Sequence, residues 1–145
     1  MTKILMLHGI HHDQMGKGSN SPHGATTMES LNQQLAEEAA RLSVEVVPFQ
    51  NNDPEQVVQR VLAAPGEGIQ GILFNPATWT EDGEAIAAAL AQSGLPVLEL
   101  HMSNIQKEPV TRNVIAPAVT GLLTGFGEAV YVQGLRILAQ QLENR

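Results

Sequence analysis

The sequence predicts an α/β fold, a doubly wound sheet of five parallel strands with helices on both faces. Short apolar runs alternate with longer amphipathic runs along the chain, as strands and helices do in proteins with a parallel sheet. Most of the short runs are apolar at successive positions, which is typical of strands covered on both sides. A length of 145 residues fits a single domain spanning 1–145, and five strands in that length suit a flavodoxin-like sheet better than a barrel.

The first predicted strand is followed by a long connection and an amphipathic helix. The strand covers 4–7, and the connection 9–24 lacks periodicity and is rich in glycine, serine, asparagine and histidine. A connection of this length is most often a lid or a binding loop. Thr26 and Glu29 match the Thr-x-x-Glu capping box that opens a helix. Apolar residues then recur at spacings of three and four: Met28, Leu31, Leu35, Ala39 and Leu42.

The middle of the chain continues the alternation. Strands are predicted at 44–49 and 69–74. The Asp-Pro pair at 53–54 is typical of a helix N-terminus, with the acid as the cap and proline in the first turn. An alanine-rich helix is predicted at 81–93.

The C-terminal part supplies the last two strands and the last helix. A strand is predicted at 96–101, an irregular polar connection at 105–114, and a fifth strand at 119–126. Four apolar residues at helical spacing mark the final helix: Tyr131, Leu135, Leu138 and Leu142.

Composition excludes several classes of protein and of site. The formal net charge is −7, and the eight lysines and arginines do not cluster, which argues against nucleic acid or an anionic membrane as a partner. The absence of cysteine excludes disulfides, thiolate nucleophiles and cysteine zinc sites. The N-terminal apolar run is too short for a signal peptide, and no window is long and apolar enough to span a membrane. We therefore expect a soluble, cytoplasmic protein.

The best candidate for an active site is the stretch 97–104. Glu99 and His101 interrupt an apolar strand at alternate positions, so their side chains point to the same face. A carboxylate there can fix the tautomer of the imidazole. Ser103 and Asn104 then end the strand at the sheet edge where ligands bind in open parallel sheets. The alternative interpretation is a buried histidine that Glu99 or the backbone satisfies.

Familiar nucleotide and nucleophile motifs are missing. The Gly-Lys-Gly-Ser sequence at 16–19 resembles the end of a phosphate loop, but His11 stands where that loop requires glycine. Neither a Gly-x-Gly-x-x-Gly after a strand nor a Gly-x-Ser-x-Gly is present. We therefore expect no nucleotide cofactor. Side chains that could bind a metal lie in or beside the first connection, but their spacing matches no standard site, so we expect no metal: His8, His11, His12, Asp13 and His23.

Several segments in one order carry a family resemblance. They are Leu-His-Gly near the N-terminus, Gly-Lys and then Gly-x-Thr-Thr, Asn-Pro-Ala-Thr-Trp-Thr, Glu-Leu-His-Met-Ser-Asn-Ile, Val-Ile-Ala-Pro and Gly-Leu-Leu-Thr-Gly-Phe-Gly. The chain resembles the type II 3-dehydroquinate dehydratases over nearly its whole length. The resemblance implies a flavodoxin-like fold, a dodecamer of four trimers, and no metal or organic cofactor. It also implies removal of water from 3-dehydroquinate by anti elimination through an enolate-like intermediate.

The resemblance assigns roles to residues at the ends of two strands. His101 matches the general acid that protonates the departing hydroxyl, and Glu99 matches the partner that orients it. Asn75 matches the asparagine that binds substrate and holds the water near the enolate; taken alone, it is also a common turn former before proline.

Three further residues match positions that bind substrate. Met102 and Ser103 fall where backbone N–H groups and a hydroxyl receive the substrate carboxylate. Arg112 falls on the arginine that contacts the ring hydroxyls, although the connection after it is about two residues shorter than in the family.

The first connection departs from the family. An arginine and the tyrosine that serves as the base are replaced by Gly18 and His23, and the usual Pro-Asn pair is Ile10 and His11. Glu81 replaces a substrate-binding histidine and would repel an anion. His23 is a candidate base, because an imidazole titrates nearer neutrality than a phenol.

These observations predict a carbon–oxygen lyase acting on 3-dehydroquinate or a related small hydroxylated carbonyl acid, with His101 as acid and His23 as base. One alternative is a lyase, isomerase or hydrolase that uses the same scaffold on a different small molecule. Another is a non-catalytic homologue. We also expect a homo-oligomer, a trimer or dodecamer, although Ala-Ala at 87–88 replaces the family's Arg-Asp pair in the third helix.

Overall fold

The strands form one parallel sheet. A computed structural model of the chain describes residues 1–17, 25–107 and 112–144. Across these ranges, five strands pair in parallel in the order β2-β1-β3-β4-β5. The predicted α/β fold with a doubly wound parallel sheet is confirmed. The strands are β1 (Thr2–Leu7), β2 (Val44–Phe49), β3 (Ile69–Phe74), β4 (Val97–His101) and β5 (Gly121–Thr124).

Helices cover both faces of the sheet. The α-helices are α1 (Met28–Leu42), α2 (Pro54–Ala63), α3 (Trp79–Asp82), α4 (Glu84–Ser93) and α5 (Ala129–Glu143). α1 packs with α5 in one layer, and α2 packs with α4 in the other. Short 3-10 helices lie between them at His12–Gln14, Pro65–Glu67, Ile105–Lys107 and Ala116–Ala118. Among the described residues, no helix is long and apolar enough to cross a membrane.

The central strand β1 contributes to two separate apolar clusters. Leu5 and Leu7 pack in the layer of α2 and α4, whereas Ile4 and Met6 pack in the layer of α1 and α5, and all four are fully buried. A strand buried on both faces needs apolar side chains at successive positions. This requirement accounts for the unbroken apolar run at the N-terminus of the chain.

The strand register brings the carboxyl ends of β1, β3 and β4 to one edge. Leu7 pairs with Phe74, and Phe74 pairs with Glu99. Gly9 follows β1 at this edge, where a Cβ atom would come within 2.4 Å of the Asn75 carbonyl oxygen. Glycine therefore allows the chain leaving β1 to pass against the end of β3. The sheet thus presents polar residues from neighbouring strands side by side.

The start of α1 differs from the prediction by one residue. The cap is Thr27, whose hydroxyl accepts from the Ser30 backbone N–H at 3.0 Å, while the Ser30 hydroxyl lies 3.1 Å from the Thr27 N–H. The predicted capping pair of Thr26 and Glu29 is wrong. Thr26 instead donates to Glu128 at 2.7 Å, next to the start of α5. The hydrogen bond to Glu128 therefore draws Thr26 away from the capping role that the local motif predicts.

The predicted helix at 81–93 is two helices. α3 starts earlier, at Trp79, and Gly83 ends it by donating its backbone N–H to the Trp79 carbonyl at 2.8 Å. The Gly83 carbonyl then accepts from Ala87 at 2.9 Å and opens α4. A Cβ atom on Gly83 would lie 2.5 Å from the Trp79 carbonyl oxygen. The break therefore depends on glycine.

The fifth strand is shorter than the predicted 119–126. Val119 closes the turn at the end of a 3-10 helix through its N–H to the Ala116 carbonyl at 3.3 Å. At the other end Gly125 and Phe126 have φ of 93° and 70°, which leaves the strand conformation. The second and third strands have the predicted bounds, and the first and fourth differ from them by one or two residues.

Candidate active site

The end of β4 carries a buried carboxylate–imidazole pair. Nε2 of His101 lies 2.5 Å from Oε2 of Glu99, and the two residues are 5% and 0% exposed. Both side chains project toward the layer of α2 and α4, because strand alternation places them on the same face as Val97. With Nε2 directed at the carboxylate, Nδ1 is the ring atom left to meet a ligand. The pair can therefore hold and deliver a proton in a fixed direction.

Asn113 is a partner of this pair that the sequence did not suggest. Its Nδ2 donates to Oε2 of Glu99 at 2.7 Å. The other carboxylate oxygen, Oε1, is buried and has no hydrogen-bond partner among the described residues. The buried charge therefore depends on donors to a single oxygen, the His101 ring and the Asn113 amide.

Asn75 at the end of β3 is held by α5. Its Nδ2 donates to the Tyr131 hydroxyl at 2.8 Å, and its Oδ1 accepts from the Ala77 N–H at 3.2 Å. Burial raises the pKa of the Tyr131 hydroxyl to about 12, although the Asn75 hydrogen bond opposes this rise. The Asn75 contacts lie in the layer of α1 and α5, opposite to the face that Glu99 occupies. Asn75 and the carboxylate–imidazole pair thus approach the sheet edge from opposite faces.

Two histidines in or beside the first connection, His8 and His12, are part of the packed edge. His8 is fully buried, and its Nε2 lies 2.6 Å from Oδ1 of Asn32. Its ring stacks on Tyr131 with centroids 6.3 Å apart and meets the His12 ring edge-on at 6.2 Å. Burial lowers the pKa of His8 below its usual value, although Asn32 and, more weakly, Glu29 oppose this. His8 therefore remains a neutral packing residue near neutral pH.

His12 turns its ring back toward the main chain. Its Nδ1 accepts from the backbone N–H of Gly9 at 2.8 Å. Across residues 1–17, 25–107 and 112–144, no group of three or more histidine, aspartate or glutamate side chains is placed to hold a metal ion. His8 and His12, two of the histidines that the sequence grouped together, therefore have separate hydrogen-bond partners.

The residues after β4 connect it to β5. The half-buried Met102 accepts the Gly127 N–H at its carbonyl at 2.9 Å. The exposed Ser103 accepts the Thr124 hydroxyl at its carbonyl at 3.0 Å. These two bonds tie the turn after His101 to the chain at and beyond the end of β5.

The remaining candidates lie around the rim of the edge. Arg112 pairs with Glu84 of α4 at 3.1 Å, with both side chains exposed. Glu81 is exposed on α3. His11 has a left-handed backbone with φ of 63°, and its N–H donates to Oδ1 of Asn52 at 2.8 Å, beyond the end of β2. The structure thus directs Arg112 toward α4 and anchors His11 to the β2–α2 connection.

Two positions singled out in the sequence, Gly18 and His23, lie outside the described residues. The partners that sequence reasoning missed were Asn113 and Tyr131. A signal existed only for Asn113, which stands two residues before a backbone N–H that its side chain accepts, as in an Asx turn. Tyr131 was recognisable only as an apolar position of the last helix.

Comparison with known proteins gives a consistent set of matches. The profile of the family described as "Dehydroquinase class II" matches residues 2–139. The 3-dehydroquinate dehydratase of Desulforudis audaxviator is 37% identical over 136 residues, which cover 92% of this chain and 90% of that protein. The 3-dehydroquinate dehydratase of Geotalea daltonii is 36% identical over 143 residues, covering 97% and 99%. The crystal structure of type II dehydroquinase from Propionibacterium acnes superimposes with a TM-score of 0.88 at 30% identity, covering 97% of each chain.

Proposed function

Because the chain belongs to the class II dehydroquinase family, we propose that it catalyses the removal of water from 3-dehydroquinate. The observation that carries this proposal is the buried Glu99–His101 pair at the carboxyl end of β4. A carboxylate that holds one ring nitrogen leaves the other to act as an acid toward a bound hydroxyl. Ligands bind at this edge in open parallel sheets.

In the proposed reaction, a base removes a proton from the carbon beside the substrate ketone, and the electron pair moves onto the carbonyl oxygen. The enolate then re-forms the carbonyl as the carbon–oxygen bond on the next carbon breaks. The departing hydroxyl takes a proton from Nδ1 of protonated His101 and leaves as water. Glu99 balances the charge of the protonated ring, to which it is directly hydrogen-bonded. The product is a conjugated enone, and the base and His101 exchange protons with solvent.

The other site residues have positioning roles in this proposal. Asn75 holds the water near the enolate, and Met102 and Ser103 receive the substrate carboxylate. Arg112 contacts ring hydroxyls, for which it must leave its exposed pair with Glu84. Exposed pairs of this kind contribute little, on the order of 0–1 kcal/mol, so substrate can compete for the arginine.

His11 and Glu81 line the rim in the same proposal. Both are exposed, one beyond the end of β1 and the other on α3. Glu81 carries a negative charge where the substrate is an anion, so we expect it to select among the polar groups of substrates rather than to bind the carboxylate.

The base in this proposal is His23. Tyr131 is the only tyrosine in the chain, and its hydroxyl is buried, bound to Asn75, with a pKa raised to about 12. A phenol with these properties does not ionise near neutral pH, which supports a histidine as the base.

The test is the ultraviolet absorbance of the enone when purified protein is mixed with 3-dehydroquinate. We expect turnover, and a loss of kcat of about 10²–10⁴-fold in both His101→Ala and His23→Ala, the range of general acid–base catalysis. His101→Gln is the matched variant, because its amide can still donate to Glu99 while it cannot supply a proton. Activity retained in His101→Gln would contradict the assigned acid, and an inactive, folded wild-type protein would contradict the proposed reaction.

We further propose that the protein is a homo-oligomer, a trimer or a dodecamer. Family membership supports this, as does the exposed apolar Phe126 beside the edge strand β5, 89% exposed. Large apolar side chains left in water often mark contacts between proteins.

A further inference from the structure

Asn113 stands where it can control the carboxylate–imidazole pair. It follows Arg112 and precedes the 3-10 helix at Ala116–Ala118. Its Oδ1 accepts two backbone N–H groups, those of Ile115 at 3.0 Å and Ala116 at 3.1 Å. Backbone N–H groups can only donate, so the oxygen of the amide must face them. The NH₂ group is therefore the part directed at Glu99, 2.7 Å away.

The connection that carries Asn113 is anchored directly after that residue. Ile115 is fully buried in the cluster of α2 and α4. The N–H of Val114 donates to the Thr80 carbonyl of α3 at 2.8 Å. The Asn113 amide therefore meets Glu99 from a backbone whose position is already set, which is what orienting a second side chain requires.

The Glu99 carboxylate needs such a donor. It is 0% exposed, its Oε1 has no partner among the described residues, and its Oε2 receives only His101 and Asn113. A buried carboxylate is costly unless donors stabilise it. Without the amide, Oε2 loses one of its two hydrogen-bond partners, and the hold of the carboxylate on the imidazole weakens.

We propose that Asn113 is a positioning residue of this enzyme, which keeps the Glu99 carboxylate aimed at Nε2 of His101 so that Nδ1 faces the substrate. The predicted change in kcat rests on the proposed dehydratase function. The predicted change in the Glu99–His101 hydrogen bond rests on the geometry alone. The amide accepts the two backbone N–H groups through its oxygen and donates to the carboxylate through its nitrogen, on two separate atoms. Aspartate has the same shape but no donor when ionised.

Three variants distinguish the acceptor function of the Asn113 side chain from its donor function. Asn113→Asp keeps the acceptor for the backbone and places a second carboxylate against Glu99. Asn113→Ser keeps a short hydroxyl near the backbone N–H groups but lacks the amide nitrogen that extends to Glu99, and Asn113→Ala removes both functions. Asn51→Asp is the matched control, because Asn51 also accepts a backbone N–H, that of Asp53 at 2.8 Å, in the connection after β2.

The pH dependence of Asn113→Asp is the decisive readout. Among the described residues, the charged and titratable groups facing this position are Glu99 and His101 of β4, and Arg112 pairs with Glu84 of α4 beside it. Two adjacent carboxylates bind a shared proton more readily than one alone. As pH falls, the introduced carboxyl group becomes protonated and can donate to Glu99 as the amide did. The ratio of variant to wild-type kcat therefore rises toward low pH, whereas a merely structural defect leaves it flat.

We expect kcat for 3-dehydroquinate to fall about tenfold or more in Asn113→Asp at neutral pH, with KM changed less than about threefold. The loss shrinks as pH is lowered. In Asn113→Ser and Asn113→Ala the loss is similar at every pH, and Asn51→Asp matches wild type. A flat ratio for Asn113→Asp, or wild-type kcat in Asn113→Ser, would overturn the inference.

A measurement without substrate separates this inference from the proposed function. In the proton NMR spectrum, the hydrogen-bonded Nε2 proton of His101 is assigned by its loss in His101→Gln. We expect its resonance to move in Asn113→Ala and Asn113→Asp at neutral pH and to stay in place in Asn51→Asp. A moved resonance in a protein that does not turn over 3-dehydroquinate supports the positioning role and rejects the reaction. An unmoved resonance in an active enzyme rejects the positioning role.

Discussion

At the scale of single residues, two buried histidines show how the hydrogen-bond partner determines whether an imidazole is suited to packing or to proton transfer. His8 and His101 are 0% and 5% exposed. His8 faces the neutral amide of Asn32, whereas His101 faces the carboxylate of Glu99. Burial disfavours a charged ring, and a carboxylate partner offsets that cost more than a neutral amide does. His8 therefore stays a packing residue, whereas His101 has the kind of partner that its proposed role as the acid requires.

The buried His8 predicts a pH dependence of stability. Its folded pKa is lowered below the unfolded value of 6.5, so the unfolded chain binds the proton first as pH falls. We expect the free energy of unfolding, from urea titrations, to decrease as pH falls below about 6.5 and the decrease to be smaller in His8→Gln. Asn32→Ala removes the bond that opposes the shift, so the decrease becomes larger. Equal pH dependence in wild type and His8→Gln would contradict this account.

At the scale of elements, the helical segment after β3 is interrupted at Gly83, between α3 and α4. The cause of this interruption lies in tertiary packing. Helix propensity favours one continuous helix through this alanine-rich segment. Gly83 instead passes against the Trp79 carbonyl, and the Cδ1 of Ile115 also lies within 3.2 Å of its ideal Cβ position. Trp79 and Ile115 are both core residues. The break lets α3 turn its tryptophan into the core while α4 packs on α2.

Gly83→Ala tests whether helix propensity or the steric clash with the Trp79 carbonyl dominates at this position. Propensity alone predicts stabilisation by up to about 1 kcal/mol, whereas the clash with the Trp79 carbonyl predicts a loss of about 1–3 kcal/mol in the free energy of unfolding. We expect the loss, measured by chemical denaturation. Gly66→Ala is the control, since nothing lies within 4 Å of its Cβ position, and it should change stability by less than about 0.5 kcal/mol. A stabilised Gly83→Ala protein would show that the break is not sterically required.

At the scale of the whole molecule, apolar surface remains beside β5. Phe126 is 89% exposed and Leu122 is 37% exposed. A surface depression of about 260 Å³ beside Phe126 is lined by Leu123, Phe126, Ala129, Val130 and Gln133. Each copy carries a formal net charge of −7, so two copies repel each other electrostatically. A stable contact between copies therefore depends on the apolar surface that it buries.

The proposed assembly predicts the mass in solution. Light scattering after size exclusion should give three or twelve times the 15.6 kDa of one chain. Phe126→Asp should lower that mass, because a charge in an apolar contact is costly to bury. Leu62→Asp, an equivalent change at a 38% exposed leucine of α2, is the comparison. A wild-type mass of one chain contradicts the assembly, and an unchanged mass for Phe126→Asp contradicts a contact at β5.

Most of the fold could be predicted from the sequence, because strand and helix periodicities are local. The bounds of β2 and β3 and the Asp53 cap of α2 follow from residues close together in the chain. The cap of α1 could not, since Thr26 is bound to Glu128, 102 positions away. The shared face of Glu99 and His101 followed from their spacing, whereas the Asn113 amide reaches Glu99 from 14 positions along the chain.

The sequence by itself determined the parallel α/β sheet, the order of its elements and the polar pair on an apolar strand. These depend on the period of the side chains and on apolar burial, which are readable from neighbouring residues. Only the tertiary structure decided that Tyr131 holds Asn75 and that Arg112 pairs with Glu84. The same holds for His8, which packs against Tyr131. Such contacts join residues far apart in the chain, and a buried polar group takes whichever partner the fold brings within reach.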